Sequence, residues 1–253
     1  MRKILSILFI TSLVIISCGK VKDYSNDFSS AAFINATPFS TPAPGIPTTN
    51  LRIFVDTLQK TSSNVVYTGS SGYLSIAPGT RKIEVRSSLD LLTNYAVSAT
   101  ENFITNTASS FFIYDTIDNA TGRVKLLRLN DTLTIPPTGF IKVRFVPLAV
   151  NAPVMDVTFL RTTVTPNDSI TFFNRAYVGS NPNISALSAF TTIPIGSYSI
   201  KLKSAGTQTV LLIQPLSLTN LTGTGNITGI SSIFATGTAK GQPLRIGLFR
   251  HYP

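Results

Sequence analysis

Short segments in which apolar and polar side chains alternate recur from residue 31 to the C-terminus. A period of two residues is typical of a β-strand with one buried and one exposed face. The clearest inward stripes are Leu51, Ile53 and Val55; Ile83 and Val85; Ile141, Val143 and Phe145; and Tyr198, Ile200 and Leu202. Clusters of Pro, Gly, Asn and Ser separate these segments, as turns do in all-β proteins. No stretch has the period of a long amphipathic helix, although short helical pieces are possible around residues 87–99.

The charged positions between these stripes are expected on the solvated faces of the strands. Lys82, Glu84 and Arg86 alternate with the second stripe, and Lys142 and Arg144 alternate with the third. An antiparallel sheet commonly keeps one such polar face in water. We expect Glu84 to pair with its basic neighbours there.

The pattern of strands occurs twice. Residues 76–88 (IAPGTRKIEVRSS) and 193–205 (IPIGSYSIKLKSA) align without gaps. Looser parallels join 32–38 to 144–150, 51–55 to 155–159, 109–116 to 231–238 and 122–129 to 241–248. The offsets, about 104 to 122 residues, match one immunoglobulin-like sandwich of about 100 residues. The predicted fold is two tandem immunoglobulin-like β-sandwich domains; one larger barrel or sandwich is the alternative.

The predicted boundaries follow from changes in composition along the chain. Residues 1–17 are predicted as a signal peptide, which the resemblance of its end to a lipobox, described below, identifies as that of a lipoprotein. The polar, aperiodic residues 18–30 are predicted as a flexible tether that begins with the cysteine whose lipidation the same resemblance implies. The first sandwich is assigned to residues 31–135 and the second to 140–253. The Pro-Pro segment at 136–139 is predicted to link them.

The order of these motifs resembles a known family. The features are an Asn-Ala-Thr-Pro turn after the first strand, Pro-Gly-Thr before a charged strand, and a closing LLRLND at 126–131. They are similar to the domain of unknown function 4397, and the likeness is best at 76–88 and 122–131. The resemblance implies tandem immunoglobulin-like sandwiches in a bacterial envelope lipoprotein. It implies no assigned activity and carries no functional residues.

The N-terminus carries an export signal. Two basic residues precede a short apolar run that ends at Ile15-Ile16-Ser17-Cys18, and Cys18 is the single cysteine of the chain. The run is shorter than the roughly 20 apolar residues of a membrane span. These four residues resemble the lipobox of bacterial lipoproteins, which implies cleavage between Ser17 and Cys18 and acylation of Cys18. Two or more acyl chains hold a protein firmly on a membrane. The alternatives are an ordinary secretory signal or an uncut signal anchor.

Charge and composition limit the classes of partner that are expected. The chain carries a formal charge of +10, and removal of Arg2 and Lys3 with the signal leaves +8. The Lys and Arg residues are scattered rather than clustered, and no nucleic-acid recognition motif is present, so nucleic acid is not an expected partner. The single cysteine excludes an intramolecular disulfide. The predicted address is the cell envelope, with the protein lipid-anchored at the outer membrane on its periplasmic or surface face.

The inventory of reactive side chains is poor for catalysis. The single histidine, His251, is the third residue from the C-terminus, where it is expected as a solvated side chain. No zinc-ligand spacing and no Gly-x-Ser-x-Gly elbow occur, so a catalytic triad would have to recruit His251. The glutamates are Glu84 and Glu101 alone, at no spacing that indicates a glycosidase pair. We predict no enzyme activity, no cofactor and no metal site.

Two further patterns bear on binding and modification. Tyr24, Tyr67, Tyr73, Tyr95 and Tyr177 lie in loop-like surroundings and either form a carbohydrate platform or cap the sandwich ends. The form Asp, hydroxyl residue, aliphatic residue occurs with the hydroxyls of Thr57, Thr116, Thr132 and Ser169. It resembles the acceptor motif of a bacterial O-glycosylation system, and the alternative is that Asp-Thr pairs end strands by bonding nearby backbone.

These observations predict a non-enzymatic lipoprotein that binds a protein or glycan partner through loops at the ends of the sandwiches. The long segment 161–190 of the second copy is the first place to look. A structural spacer or assembly subunit of an envelope complex is the alternative, and an uncharacterised hydrolase is a third.

Overall fold

Strands dominate the computed structural model, which describes residues 27–38, 50–88, 91–92, 99–116, 124–161, 168–179, 181–218, 229–239 and 241–251. The first half of the chain forms one sandwich of eight strands. They are β1 (Ser29–Asn35), β2 (Leu51–Val55), β3 (Leu58–Gln59), β4 (Ser70–Ile76), β5 (Gly79–Ser87), β6 (Ala99–Phe103), β7 (Ala108–Tyr114) and β8 (Lys125–Asn130).

The second half repeats this arrangement with eight strands and one short helix. They are β9 (Phe140–Pro147), β10 (Met155–Arg161), β11 (Ser169–Arg175), α1 (Ile184–Ser188), β12 (Thr191–Pro194), β13 (Gly196–Ser204), β14 (Val210–Leu218), β15 (Ile230–Thr236) and β16 (Arg245–Arg250). The side chain of Asn183 caps α1 by accepting from the N–H of Ala186. The helical pieces considered around 87–99 lie largely outside the described residues.

Each sandwich consists of two four-stranded sheets with the same topology. The sheets that we call inner have the orders β4-β1-β7-β8 and β12-β9-β15-β16, and the outer sheets have the orders β3-β2-β5-β6 and β11-β10-β13-β14. In both inner sheets the first strand runs parallel to the seventh, β1 with β7 and β9 with β15. The all-β class and the two sandwiches predicted from the sequence are confirmed.

The inward stripes form the two sandwich cores. Leu51, Ile53 and Val55 pack with Ile83 and Val85 in the first core. Ile141, Val143 and Phe145 pack with Tyr198, Ile200 and Leu202 in the second. Alternation with a period of two places such residues on one face, and burial of that face stabilises the sandwich.

The expectation that Glu84 lies on a solvated face is wrong. Its side chain is buried, although it points away from the core, because Lys82 and Arg86 fold over it and pair with its two oxygens. The guanidinium of Arg86 also lies over the ring of Phe54, 4.1 Å from its centroid. Long basic side chains can cover neighbouring groups with their stems while their charges stay near water. The predicted pairing of Glu84 with its basic neighbours is present.

One of the repeat alignments is shifted by a single residue. Ser109 pairs with Asn130 in the first copy, and the matching Ser231 pairs with Arg250 in the second. The last strands therefore align with an offset of 120 residues, whereas the sequence comparison of 122–129 with 241–248 used 119. A shift of one residue moves every side chain to the opposite face of a strand. Leu129 corresponds to Phe249, and both are buried on the same side of their sheets.

The two sandwiches pack face to face through their inner sheets. A third apolar cluster joins residues of both copies, so the second face of each inner sheet is covered by the other sandwich. Its buried members are Ala32, Ile34, Ala36, Phe112, Tyr114, Leu127 and Leu129 of the first copy and Val146, Leu148, Val178, Leu187, Phe234 and Phe249 of the second. The rings of Phe112 and Phe234, which occupy equivalent positions, meet at 5.6 Å.

Contacts across this interface are made in both directions by equivalent residues. The hydroxyl of Tyr67 in the first copy lies 3.4 Å from Thr236 Oγ1 in the second. The equivalent Tyr177 of the second copy contacts Tyr114 of the first, with ring centroids 6.2 Å apart. Tyr114 and Thr236 are equivalent positions in the alignment of 109–116 with 231–238, so the same pair of positions meets twice. Such reciprocal contacts characterise an isologous interface, in which the two partners are related by a two-fold axis. The two copies are therefore related by an approximate two-fold axis that passes through the interface.

Candidate functional site

Six polar side chains form a buried cluster in the middle of the interface between the inner sheets. We call it the interface cluster, and its members are Tyr73, Ser110, Asp131, Arg144, Ser232 and His251. The first three belong to the first copy and the last three to the second. Arg144 is 1% exposed and His251 is 0% exposed, so neither side chain has more than marginal contact with solvent.

The carboxylate of Asp131 is the centre of the interface cluster. Its Oδ1 accepts a charged hydrogen bond of 2.6 Å from Arg144 Nη2. Its Oδ2 accepts from the hydroxyls of Ser110 at 2.6 Å and Tyr73 at 2.7 Å. Arg144 also donates from Nε to Ser232 Oγ at 2.7 Å. Charged and neutral donors thus compensate a carboxylate whose burial alone would be very costly.

The hydrogen bonds assign one tautomer to His251. Because Tyr73 donates its proton to Asp131, its oxygen is left to accept from Nδ1–H of His251 at 2.6 Å. Ser232, which accepts from Arg144, donates its own proton to Nε2 of His251 at 2.8 Å. In this series of hydrogen bonds every donor then has one acceptor, and His251 is neutral.

The surroundings of the interface cluster oppose any further positive charge. Burial, with the positive charge of Arg144 as a second cause, lowers the pKa of His251 to about 2. Burial also lowers the pKa of the Arg144 guanidinium, which the charge of Asp131 opposes. Burial and the neighbouring carboxylate raise the pKa of Tyr73. Asp131 and Arg144 thus form the ion pair of the cluster, with His251 and Tyr73 neutral around it.

Repeat geometry explains why these residues meet. The N–H of Asp131 donates to the carbonyl of Ala108 at 2.9 Å, and the N–H of His251 donates to the equivalent carbonyl of Ile230 at 3.0 Å. Asp131 and His251 are therefore the same position of the two copies, directly after the last strand. Because that position lies beside the approximate two-fold axis, the two side chains approach each other.

The expectations for His251 and Arg144 are wrong. Both were expected in solvent, yet both are buried, because the face that alternation marks as outward is covered by the second sandwich. Ser232, His251 and Asp131 also have the residue types of a hydrolytic triad. However, Nδ1 of His251 lies 3.7 Å from Asp131 with Tyr73 bonded to both, and Ser232 accepts from Arg144. The described residues therefore give this serine no solvent-exposed position from which to attack a substrate.

A surface cleft lies in the long segment of the second copy that the sequence marks. Its volume is about 250 Å³, which suits a small group rather than a drug-sized ligand, whose pockets hold about 300–1,000 Å³. The lining residues are Pro147, Asn174, Arg175, Ala176, Tyr177, Val178, Asn181, Pro182, Asn183, Ala186 and Leu187. Buried Val178 and Leu187 belong to the interface core, whereas Asn174, Asn181 and Ala186 are exposed. The cleft thus combines an apolar floor with amide groups and one guanidinium.

Arg175 is the charged residue of the cleft. The centre of its guanidinium lies 5.3 Å from the centroid of the Phe172 ring. Its Nε is buried without a hydrogen-bond partner. None of the ion pairs among the described residues includes Arg175. The positive charge is therefore held in place from one side and has no ion-pair partner among the described residues.

Contacts to the first sandwich hold the other side of the cleft. The hydroxyl of Tyr177 donates to Asp115 Oδ2 at 2.7 Å, and Lys125 pairs with the same oxygen at 2.7 Å. The hydroxyl of Tyr114 donates to the carbonyl of Gly179 at 2.9 Å. Burial raises the pKa of Tyr114 to about 12 and that of Tyr177 further. Both hydroxyls are therefore protonated donors at neutral pH, and both are already engaged.

The carbohydrate platform, one of the two interpretations of the tyrosines, does not form from those that the structure describes. Tyr67, Tyr73 and Tyr177 lie at the interface between the sandwiches, and each hydroxyl is bonded. Tyr24 and Tyr95 lie outside the described residues. The alternative of a structural role fits the three described tyrosines, at the interface rather than at the sandwich ends.

The structure describes some of the residues predicted to be cleaved or modified, but not all of them. Ser17 and Cys18 lie outside the described residues. Thr57, Thr132 and Ser169 are exposed, and Thr116 is half-buried. The aspartate that precedes each has a structural role, because Asp56, Asp115, Asp131 and Asp168 all accept hydrogen bonds from basic or backbone donors. These bonds explain the aspartates without glycosylation, and modification of the hydroxyls remains a prediction.

Among the residues that the structure describes, no three His, Cys, Asp or Glu side chains come together as a metal site would require. Within the same residues, no helix has the length and apolar character needed to cross a bilayer.

Comparison with protein-family models gives a match to part of the chain. It covers residues 33–158, from β1 through the first sandwich to β10 of the second, and the family is described as a domain of unknown function, DUF4397. A search among curated proteins finds no match.

Proposed function

Since this chain belongs to the DUF4397 family through residues 33–158, whose description assigns no function, we propose a role from the N-terminal sequence and from the geometry of the described residues. In this role the protein is a non-enzymatic lipoprotein of the cell envelope, and its paired sandwiches present the cleft around Arg175 to a protein or glycan partner. The cleft is the observation that carries this proposal, because it combines concave shape, exposed amides and an unpaired charge on a supported surface.

The position of the cleft favours binding through a preformed surface. Its lining comes from β9, from the end of β11, from the segment that leads into α1 and from α1 itself. Tyr177 and Gly179 are bonded to the first sandwich, so this segment is supported from both copies. Preorganised lining residues lose little conformational entropy when a partner binds.

The burial of the interface cluster supports a non-enzymatic role. Ser232 and His251 are the residues that hydrolysis would need first, and both are committed to bonds within the interface. A general base must reach the proton of a bound substrate. The neutral, buried His251 has no such access in the part of the chain that the structure describes.

Filling the cleft is the direct test of the proposed function. The wild-type protein and the variant Ala186→Trp are compared on immobilised oligosaccharides and on envelope and extracellular proteins. Ala186 is exposed and lines the cleft, so a large ring there should abolish binding to the partner. Ala189→Trp is the matched control, because Ala189 is exposed after α1 and is not part of the lining. Equal binding by all three proteins would refute the role of the cleft.

The proposed address is tested by protease treatment of intact cells, followed by mass spectrometry of released and retained peptides. Release of residues 31–253 from unbroken cells supports display at the surface and capture of an external partner. Protection until the outer membrane is opened supports a periplasmic role. The same spectra show whether Thr57, Thr116, Thr132 and Ser169 carry the mass of a sugar.

A second candidate, an assembly subunit of an envelope complex, is favoured by the outer sheet of the second sandwich. Leu160, Phe173, Val210 and Ile213 expose 38 to 66% of their surface there. Exposed apolar surface of this kind can mark a protein contact. Sedimentation of the wild-type protein and of Phe173→Ser separates the two candidates, because only assembly through this face gives oligomers that the substitution dissociates.

A further inference from the structure

We propose that the cleft of the second sandwich binds the carboxylate of an acidic sugar, with Arg175 as the residue that recognises it. This inference rests on the proposed binding function and specifies the chemistry of its ligand.

The first step is the state of Arg175. Stacking against Phe172 fixes the guanidinium, and its Nε–H is removed from bulk water without an acceptor. A buried donor without a partner is costly, and a ligand that supplies an acceptor removes that cost. The guanidinium presents parallel N–H donors that match the two oxygens of a carboxylate.

The second step is the absence of competing negative charge in the lining. None of the lining residues is acidic. Two described carboxylates adjoin the lining, and both are engaged by other donors. Asp156 accepts from the backbone N–H groups of Asn174 at 2.9 Å and Gly206 at 3.1 Å. Asp115 accepts from Tyr177 and pairs with Lys125. By contrast, Arg161 is paired with Asp168 at 2.8 Å and Arg128 with Glu101 at 3.0 Å. Arg175 is left with a charge that an external anion can complement.

The third step is the choice of a sugar over a peptide. Asn174 and Asn181 place exposed amide groups beside the cleft, and each amide can both donate to and accept from a hydroxyl. The cleft volume of about 250 Å³ suits one monosaccharide unit. A pyranose with a carboxylate uses both kinds of lining group, whereas a neutral hexose leaves Arg175 without its anion.

Titration by heteronuclear NMR or calorimetry tests the proposal. The probes are methyl glycosides of glucuronate, galacturonate, mannuronate and sialic acid, each beside a neutral counterpart. We expect saturable binding of at least one acidic glycoside, and binding at least about tenfold weaker for its neutral counterpart. Arg175→Met removes the charge at similar length and should reduce acidic-sugar binding by a similar factor. Arg245→Met is the matched control, because Arg245 is exposed outside the cleft lining and the change in net charge is the same.

The other outcomes overturn the proposal. These are no saturable binding of any acidic glycoside, equal binding of acidic and neutral forms, or equal loss in both Met variants. Binding of peptides with a free C-terminus but not of amidated peptides, lost in Arg175→Met, would assign a peptide ligand instead. If Ala186→Trp abolishes capture of a partner while Arg175→Met leaves it intact, the binding function stands and the acidic-sugar inference fails. If Ala186→Trp has no effect on any capture, both fail.

Discussion

Asp131 and His251 are the same position of the two copies, and their side chains meet across the interface with Nδ1 of His251 3.7 Å from Asp131 Oδ2. The gap is bridged by the hydroxyl of Tyr73, which is bonded to both. A position repeated by sequence has thus acquired an anion in one copy and a neutral ring in the other. The predictions on stability follow from this asymmetry.

Loss of the Asp131 charge should destabilise the protein strongly. Asp131→Asn keeps the size of the side chain but leaves the Arg144 guanidinium buried without its anion. Removal of one partner of a buried pair typically costs about 3–5 kcal/mol. Urea unfolding followed by circular dichroism measures this loss.

The control for this experiment is Asp168→Asn. The pair between Arg161 and Asp168 has similar geometry at 2.8 Å, but its side chains are 22% and 30% exposed. Solvent screening limits such a pair to about 1 kcal/mol or less. Equal destabilisation by the two substitutions would contradict the importance of burial.

The free energy of unfolding should decrease as the pH is lowered, because the single histidine takes up a proton on unfolding. The pKa of His251 is about 2 in the folded state, below its ordinary value of 6.5. The unfolded chain therefore takes up a proton below pH 6.5 that the folded state does not bind. Folding stability is complete above pH 6.5 and decreases below it by up to about 1.4 kcal/mol per pH unit.

The measurement is the free energy of unfolding between pH 7 and 5 for the wild type and His251→Gln. Three carboxyl groups, those of Asp56, Glu84 and Asp115, also have a lowered pKa in the folded state. The stability that they contribute is lost mainly near and below their ordinary pKa values of 3.8 to 4.5, which lie outside this pH range. His251 is the only histidine, so the substitution should remove most of the slope in this range. An unchanged slope in His251→Gln would refute the assignment, whatever its effect on absolute stability.

A methyl group at Gly247 should disturb the interface core. A Cβ built there overlaps the ring of Phe234, which is fully buried against Phe112. Overpacking of this kind commonly costs about 1–3 kcal/mol. We expect Gly247→Ala to lower the midpoint of thermal unfolding. The double variant with Phe234→Leu should lose less than the sum of the two single variants, since the smaller side chain removes the overlap. Simple additivity would contradict this explanation.

Lipid attachment should depend on Cys18. The variant Cys18→Ser should fail to incorporate an alkyne-tagged fatty acid in cells and should move from the membrane to the soluble fraction or remain uncleaved, because no other side chain of the chain offers a thiolate. Metabolic labelling and the mass of the N-terminal peptide measure both effects. Ser17→Ala, which keeps a small residue before the cleavage site, is the matched control and should still be labelled. Labelling of Cys18→Ser would refute the anchor.

The sequence patterns correctly predict the features that depend on residues close together in the chain, namely the inward face of each strand and the repeat of strands. Alternation places Ile200 and Leu202 in the core, and the repeat at 76–88 and 193–205 identifies equivalent strands. Both signals depend on near neighbours in the chain. A period of two residues distinguishes the two faces of a strand, but it does not reveal whether the second face meets water or another sheet.

That limit explains the incorrect expectations for Arg144 and His251. Arg144 alternates with Val143 and Phe145 as a solvated residue would, yet its face is covered by the first sandwich. The missed signal was available in the repeat: Asp131 and His251 become equivalent once the last strands are aligned with an offset of 120. The cleft was indicated only by the length of segment 161–190. The isolation of Arg175 depends on spatial neighbours that no spacing reveals.

Covalent linkage of the two copies changes what their shared interface can contain. In a dimer of identical chains, a side chain beside the two-fold axis faces a second copy of itself, so the position of Asp131 would bring two carboxylates together. Like charges at that separation repel each other strongly when they are removed from water. Within one chain each half can carry its own residue, and this position holds aspartate beside histidine. Likewise, the position of Ala32, which pairs with Ser110, holds Arg144 in the second half, where it pairs with Ser232. Replacement of the second half by a second copy of the first would bring two carboxylates together again, so the two halves are no longer interchangeable.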